Sequence, residues 1–595
     1  MFAQTGRAPA IGLAIVLVIF VAVSLIKLDV PGIYMDSANP DYLSVYLTRP
    51  AGSVPAWVYP DNMFFRQYEF PILSSLYGGA TPAYVGVPYF KLFGHSVASF
   101  RLYHVALAVI IVSLNCWLLN RLIGNSFFAP AATLALALDP TFVFAWRSQF
   151  YLQLFPLITF LPALWFLARS IAKLDASGEF DRRTLAVGAA LCGFSAWGYW
   201  VFALYSGALF LLVIGYYWRR STTVVKPALI FIAAFLIGYS PFLYGHISIL
   251  SEFGLEGYLK RWTDVGDVYG VYRTGADDIG LRMRHVFDRL QQLSDGTAIA
   301  GLMLGDRSTY PADPVVTITL RNLSARTYGQ WLSLTLLAGS FVAAVASARA
   351  PRARATGGEG VLTITPEARV VPLFIVVIFM THMIFGLALG RALYMQHYIM
   401  LLPLIYIGFF LAIEIIFRPT IEPDPLRIVP AGAASPRWTV SPLLRSRHTG
   451  SIVCAVVLIA MLANHLPQIH AIYRLLGHSG GRAKWSDAIN RVAEHAYELP
   501  RDAVFAFTQW GYWMGVAIAD GAARPIWESL TVDGMIEQIK QRPPQGAYAI
   551  VIDTPDFASA VPKIEAQTGL KLQNERAFTN RIGEPAVTIG LFRRP

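Results

Sequence analysis

The acids best placed to do chemistry sit where apolar runs end. In Met35-Asp36-Ser37-Ala38-Asn39-Pro40-Asp41-Tyr42, two carboxylates five residues apart follow the first long hydrophobic run. A carboxylate in hydrocarbon costs about 2.5–3.5 kcal/mol on insertion scales, so acids kept beside membrane helices are read as working residues. Asp36 is the candidate general base, able to take a proton from an acceptor hydroxyl or amine. Asp41 is a second candidate. Pro40 between them predicts that Asp36 closes the helix exit. Asp41 then begins a short interfacial helix over 39–48, capped by Ser37 or Asn39. Further on, Asp139-Pro140 interrupts an apolar run, and Arg147 follows about two helical turns later. Such residues are costly unless they face protein or a water-filled cavity. Asp139 is therefore a third candidate acid, or half of a structural Asp–Arg pair. Arg147 carries a fork of donors suited to a phosphate.

Other polar residues fit a bound substrate. Gln149 and Gln153 stand at the outer start of the next apolar run, where a sugar could be hydrogen-bonded, and Glu69 joins the acids of the first long outer segment. In Gly390-Arg391-Ala392-Leu393-Tyr394-Met395-Gln396-His397-Tyr398, Arg391 lies on the expected outer side, against the usual bias of cations to the inside. A polyprenyl-phosphate head group would account for it, with His397 and Tyr394 beside it. The blander account has Arg391 snorkelling to lipid phosphates while the tyrosines form an interface belt. The eleven histidines are scattered, and all three cysteines (Cys116, Cys192, Cys454) fall in apolar runs. There is no HExxH, no GxSxG elbow and no glycine-rich phosphate loop. No metal or other cofactor is expected; a divalent ion would need carboxylates gathered from separate loops.

The elements that must position these residues are mostly membrane helices. Of 595 residues 55% are hydrophobic and 14% charged, against about 25% charged in ordinary globular proteins. Mean hydropathy is +0.49. The class is a polytopic α-helical membrane protein. Its formal charge of +11 does not call for nucleic acid, because much of the excess lies in short loops. Runs able to cross about 30 Å of hydrocarbon occur near 10–28, 98–119, 126–145, 151–170, 185–199, 201–218, 227–244, 329–348, 368–389, 398–417 and 449–466, so about 11 transmembrane helices are expected. The first is expected to stay as a helix, since no small-residue cleavage site follows it. With the N-terminus cytoplasmic, the inside loops collect Arg121, Lys173, Arg182, Arg183, Arg219, Arg220, Lys226, Arg349, Arg352, Arg354, Arg437, Arg445 and Arg447. Residues 1–466 then form the membrane module, with outer segments 29–97 and 245–328; the second holds a possible amphipathic helix at 281–294. The tail, 467–595, lies outside and reads as a soluble α/β domain. Its strands are expected at 502–508, 525–529, 547–553 and 585–592, and its helices at 531–542 and 557–568.

This pattern resembles the GT-C superfamily of integral-membrane glycosyltransferases, which includes the protein O-mannosyltransferases and the lipid A aminoarabinose transferase. The resemblance covers residues 10–420 by topology and three stretches: the Asp36 loop, Asp139 to Pro156, and Arg391 to Pro403. It implies a GT-C-like fold and an inverting glycosyltransferase, with a polyprenyl-phosphate sugar as donor and a glycan, lipid or protein as acceptor. It also implies Asp36 as base, Arg147 and Arg391 as phosphate ligands, and the two outer segments as cover. The setting implied is the bacterial inner membrane, with the C-terminal domain periplasmic, membrane lipids as surroundings and a monomer sufficing. Two departures leave the branch open: residues 147–153 contain no acid, and Asp36 is followed by Ser37 where many relatives carry a second acid. Sparse carboxylates favour a metal-independent reaction. The competing readings are a transporter or flippase using Asp139, and a ligase or polymerase of polyprenyl-linked glycans. A transporter would show paired repeats with broken helices in both halves, and the halves here differ.

Overall fold

The computed structural model describes residues 7–33, 35–48, 72–123, 128–149, 154–220, 224–268, 278–304, 313–326, 328–349, 365–390, 393–417, 447–500, 503–509, 512–521, 523–529, 531–541 and 546–595. Among them, eight helices are long and apolar enough to cross a membrane. A ninth arises if Phe128–Ala137 and Pro140–Arg147, bent by 59°, are one broken span, and a shorter apolar helix, Ala8–Ser24, precedes them. Each of the eleven expected runs contains a helix among the described residues, but the helices in the first and in Arg182–Gly198 are shorter than that criterion. The bend has a local cause. Pro140 lacks the N–H that would continue the preceding helix but suits the first turn of a new one.

Helices Val97–Ile123, Leu157–Ser177 and Met395–Phe417 form the buried centre of the bundle, and the others surround it. Exposed apolar side chains on the outer helices, among them Leu211, Ile237, Ile384 and Ile459, suit contact with lipid tails. Helix Arg182–Gly198 crosses Val225–Val268 with backbones touching. A Cβ on Gly193 would lie 2.2 Å from the Phe235 carbonyl oxygen, and one on Gly238 2.2 Å from that of Ala190. Small residues permit this close approach, which strengthens packing where lipid supplies no hydrophobic drive.

One end of the bundle carries cations laced to acids, with Arg220 and Asp175 3.3 Å apart, Arg169 and Glu367 3.6 Å apart, and Lys173 paired with Asp181. The other end carries the long segments. In the first of these, the helix is Asp41–Leu47, with Pro40 at its cap position and no side-chain cap bond. It does not lie along the interface as expected. Its first six residues are buried, and Tyr42 meets Trp513 of the C-terminal domain edge to face, at 5.0 Å between ring centres. A small hairpin follows, β1 (Leu73–Ser75) with β2 (Gly78–Gly79), bridged to Tyr199 at the turn between two membrane helices. In the second segment, helix Val225–Val268 runs on past the membrane and breaks at Gly254, whose φ of 68° glycine adopts at little cost. The expected amphipathic helix is there as Ile279–Gln291, capped by Asp278.

The last hydrophobic helix continues past the expected boundary at 466 to Ser479 and turns at Gly480 and Gly481, both at positive φ. The soluble part that follows is a five-stranded mixed sheet in the order β4-β3-β5-β7-β6. Strands β3 (Val504–Phe507), β4 (Ile526–Glu528) and β5 (Tyr548–Asp553) are parallel; β7 (Pro585–Arg593) runs antiparallel to β5 and to the edge strand β6 (Lys571–Thr579). Helices Val532–Gln541 and Thr554–Thr568 occupy the expected positions. Strand β6 was not expected. It is mostly exposed and polar, so it lacks the alternation that reveals a half-buried strand.

Candidate active site

Asp36 belongs to a four-residue helix, Met35–Ala38; its side chain lies outside the described residues. That helix packs between the π-helical turn Ala145–Gln149 and helix Trp513–Ala519 of the C-terminal domain. Its location is therefore a junction of the two domains.

The chain entering this helix is fixed from below by two arginines, each only 1% exposed. Arg147 donates to the carbonyls of Ser24 (3.2 Å), Val30 (2.8 Å), Ile26 and Lys27. Arg101 donates to Val30 at 3.1 Å, to Arg147's own carbonyl at 3.3 Å, and to Pro31. These acceptors include carbonyls that a helix C-terminus leaves without partners, and a cation there also favours the helix dipole. Arg147 further stacks on Tyr473, 4.9 Å from its ring centre. The guanidinium expected to hold a phosphate is thus occupied with main-chain oxygens.

From above, the C-terminal domain grips the same stretch. Asn490 accepts from the Ile33 N–H (3.3 Å) and donates to the Asp29 carbonyl (3.1 Å), while the Gly32 N–H donates to the Trp485 carbonyl at 2.8 Å. Arg581 pairs with the carboxylates of Asp29 and Asp487. Burial alone would raise the Asp29 carboxyl, but Arg581 outweighs it and holds the value below the ordinary range. At the more enclosed Asp487 burial prevails over the same arginine, and its carboxyl is raised.

The remaining candidates divide by partner. Asp41 is buried, with its Oδ2 2.7 Å from His104 Nε2, joining the short helix to Val97–Ile123. Asp139 is also buried and caps the helix beyond the bend. Its Oδ1 accepts from the N–H groups of Thr141 and Phe142, and its Oδ2 from Ser294 and from Tyr406 at 2.8 Å. The expected direct Asp139–Arg147 pair is not formed among the described contacts: the acid faces hydroxyls and amides, the arginine carbonyls. His397 is buried, its Nδ1 2.6 Å from the Tyr199 hydroxyl, while Tyr394 is half-exposed beneath Arg289. Glu69, Gln153 and Arg391 lie outside the described residues, as does the side chain of Gln149. Among the described residues, no group of three or more His, Cys, Asp or Glu side chains is gathered as a metal site requires.

Sequence reasoning missed Arg101, Asn490, Arg581 and Arg282. Arg282 donates at 3.2 Å to the carbonyls of Leu387 and Ala388, at the end of helix Pro366–Leu389 and just before Arg391. A signal for Arg101 was present: a cation near the expected outer end of a span opposes the usual charge bias, as Arg391 does.

No protein-family model and no curated protein matches the chain. Solved structures do, among them two of one protein. ArnT from Cupriavidus metallidurans bound to undecaprenyl phosphate is 14% identical, with a TM-score of 0.52 over 97% of each chain. The apo structure of the same protein is 13% identical, with a TM-score of 0.52 over 98% of each. The likeness runs through the membrane helices and the soluble domain alike, and by it the chain has the polytopic fold seen in ArnT.

Proposed function

We propose that the chain is an inverting glycosyltransferase that moves a sugar from a polyprenyl-phosphate donor to an acceptor on the outer, periplasmic face of a bacterial inner membrane, with Asp36 as general base. The observation that carries this reading is the end-to-end fold likeness to a protein solved with undecaprenyl phosphate. The place of the Asp36 helix, at the junction of membrane module and soluble domain, supports it further. In the reaction, an acceptor hydroxyl or amine attacks the anomeric carbon opposite the leaving group. The C1–O bond to phosphate breaks, its electron pair leaves on the polyprenyl phosphate, and the acceptor's proton passes to Asp36. Charge grows on the departing phosphate, so a fixed cation there lowers the barrier. With Arg147 committed to carbonyls, Arg391 is the arginine assigned to that task, and the outer segments cover the site. The buried Asp139, on which a transporter reading leaned, is engaged as a helix cap and interhelical tie.

The test uses purified protein and a panel of synthetic decaprenyl-phosphate sugars, reading release of decaprenyl phosphate. Wild type should turn over at least one. Asp36→Asn should lose about 10²–10⁴-fold in rate, the usual contribution of general base catalysis, while still binding undecaprenyl phosphate. Full activity in Asp36→Asn removes the base. Turnover of no panel member, together with no binding of undecaprenyl phosphate, removes the donor class.

A further inference from the structure

Residues 29–33 form a short irregular strap leading towards the Asp36 helix, and they are held on two sides by groups from different domains. On the membrane side, two guanidiniums, each almost fully buried, donate to the same carbonyl oxygen, that of Val30. Burying like charges together is costly. A fold needing only to satisfy a few carbonyls could do so with neutral donors. What two planar forks add is direction: each fixes several oxygens at set angles, and both meet at the Val30 carbonyl. Moving this stretch would orphan several buried carbonyls, which is costly in a site shielded from water.

On the soluble side, Asn490 makes a two-way bond to the strap. Its amide oxygen must face the Ile33 N–H and its NH₂ the Asp29 carbonyl, since the reverse orientation satisfies neither. The Trp485 carbonyl holds the intervening Gly32. From Ile33, Tyr34 alone separates the last clamped atom from the Met35–Ala38 helix.

We propose that Arg101 and Asn490 are positioning residues for the reacting carboxylate, one holding the strap from the membrane module and the other from the soluble domain. On this view the C-terminal domain is part of the catalytic scaffold, whatever else it binds. The inference rests on the reading of Asp36 as base. Neither residue touches substrate; each acts through the backbone that carries Asp36. Misplacing a catalytic group by about 1 Å can cost 10²-fold in rate, so small displacements of the strap matter.

The experiment uses the full chain with Asn490→Ala, Arg101→Lys, Arg101→Gln and Asp36→Asn. It reads decaprenyl-phosphate release at saturating donor, donor KM, melting temperature, and amide hydrogen exchange over 29–38. In Asn490→Ala, kcat should fall about 10–100-fold with KM within about two-fold, little change in melting, and faster exchange across 29–38. Arg101→Lys keeps the charge and part of the carbonyl bonding, so it should retain more activity than Arg101→Gln. Should Arg101→Gln fail to fold, Asn490→Ala still decides, because Asn490 lies at the domain surface. Faster exchange with unchanged kcat overturns the proposal, as does a loss of rate that follows a loss of melting temperature and recovers on cooling. Full activity in Asp36→Asn overturns the functional reading and the identity of the positioned group. Unchanged exchange in Asn490→Ala overturns the clamp alone.

Discussion

Asp139 illustrates how a single side chain can carry several structural tasks inside a membrane. One oxygen ends the orphan N–H groups of a helix start, and the other gathers hydroxyls from two distant elements, Ser294 and Tyr406. His465 Nε2 stands 3.8 Å from the same carboxylate. Truncation would remove the cap, worth about 1 kcal/mol, and leave buried donors unsatisfied at about 1–3 kcal/mol each. Asp139→Ala should therefore lose on the order of 3–7 kcal/mol of stability. Asp139→Asn should lose less, because its amide oxygen can still cap while its NH₂ obliges the hydroxyls to turn. Thermal unfolding in detergent should rank wild type above Asp139→Asn and Asp139→Asn above Asp139→Ala. Equal melting of the three would contradict the cap. An acid beside proline in an apolar run is visible in sequence. Its partners, more than 150 residues away at Ser294 and more than 260 at Tyr406, are not, and they separate a tie from a candidate catalyst. Arg147 has the same lesson in sharper form, for main-chain carbonyls have no sequence signature at all.

Elements were legible where the surroundings impose a composition. Hydrocarbon demands long apolar runs, and each run expected from sequence contains a helix among the described residues. The β-rich stretches of the tail likewise fall on β3, β4, β5 and β7. What failed were features set by remote packing. The Asp41–Leu47 helix reads as interfacial from its own residues, yet Trp513 and its helix cover it. The length of the last hydrophobic helix was underestimated because its polar continuation is held by contacts and not by hydropathy. The crossing of Arg182–Gly198 with Val225–Val268 tests the role of small residues directly. Neither glycine there has a positive φ, so backbone strain is not at issue; space is. Gly193→Leu must push the two backbones apart, and overpacking of this kind costs about 1–3 kcal/mol. The variant should melt below wild type, and pairing it with a change at Gly238 should be far from additive because the two sites share one contact. Additive losses would mean that the helices do not touch there.

At the scale of the whole molecule, the question is what keeps the soluble domain seated on the bundle. The chain passes from one to the other at Gly480-Gly481, so a stiff covalent link does not set the angle. Arg482, 1% exposed, is placed to do so. It makes a forked bond to Glu584 in the turn between β6 and β7, with Nε 2.9 Å from Oε2, and its own N–H donates to the Met303 carbonyl in the second outer segment. Asn580 supports Glu584 from the side at 2.7 Å. A buried pair of this kind contributes little net stability compared with apolar residues of the same shape, but breaking it is costly because one charge remains buried alone. Glu584→Ala should thus lose about 3–5 kcal/mol, with exchange rising together at 29–33, 303–304 and 479–487 and with cleavage appearing at Gly480-Gly481 on limited proteolysis. The double variant Arg482→Met with Glu584→Met removes both charges and should regain most of that stability. If it also regains the protection at 29–33, seating requires shape alone; if the sheet is stable but 29–33 stays exposed, the ion pair sets the docking angle, and sugar transfer should fall with it.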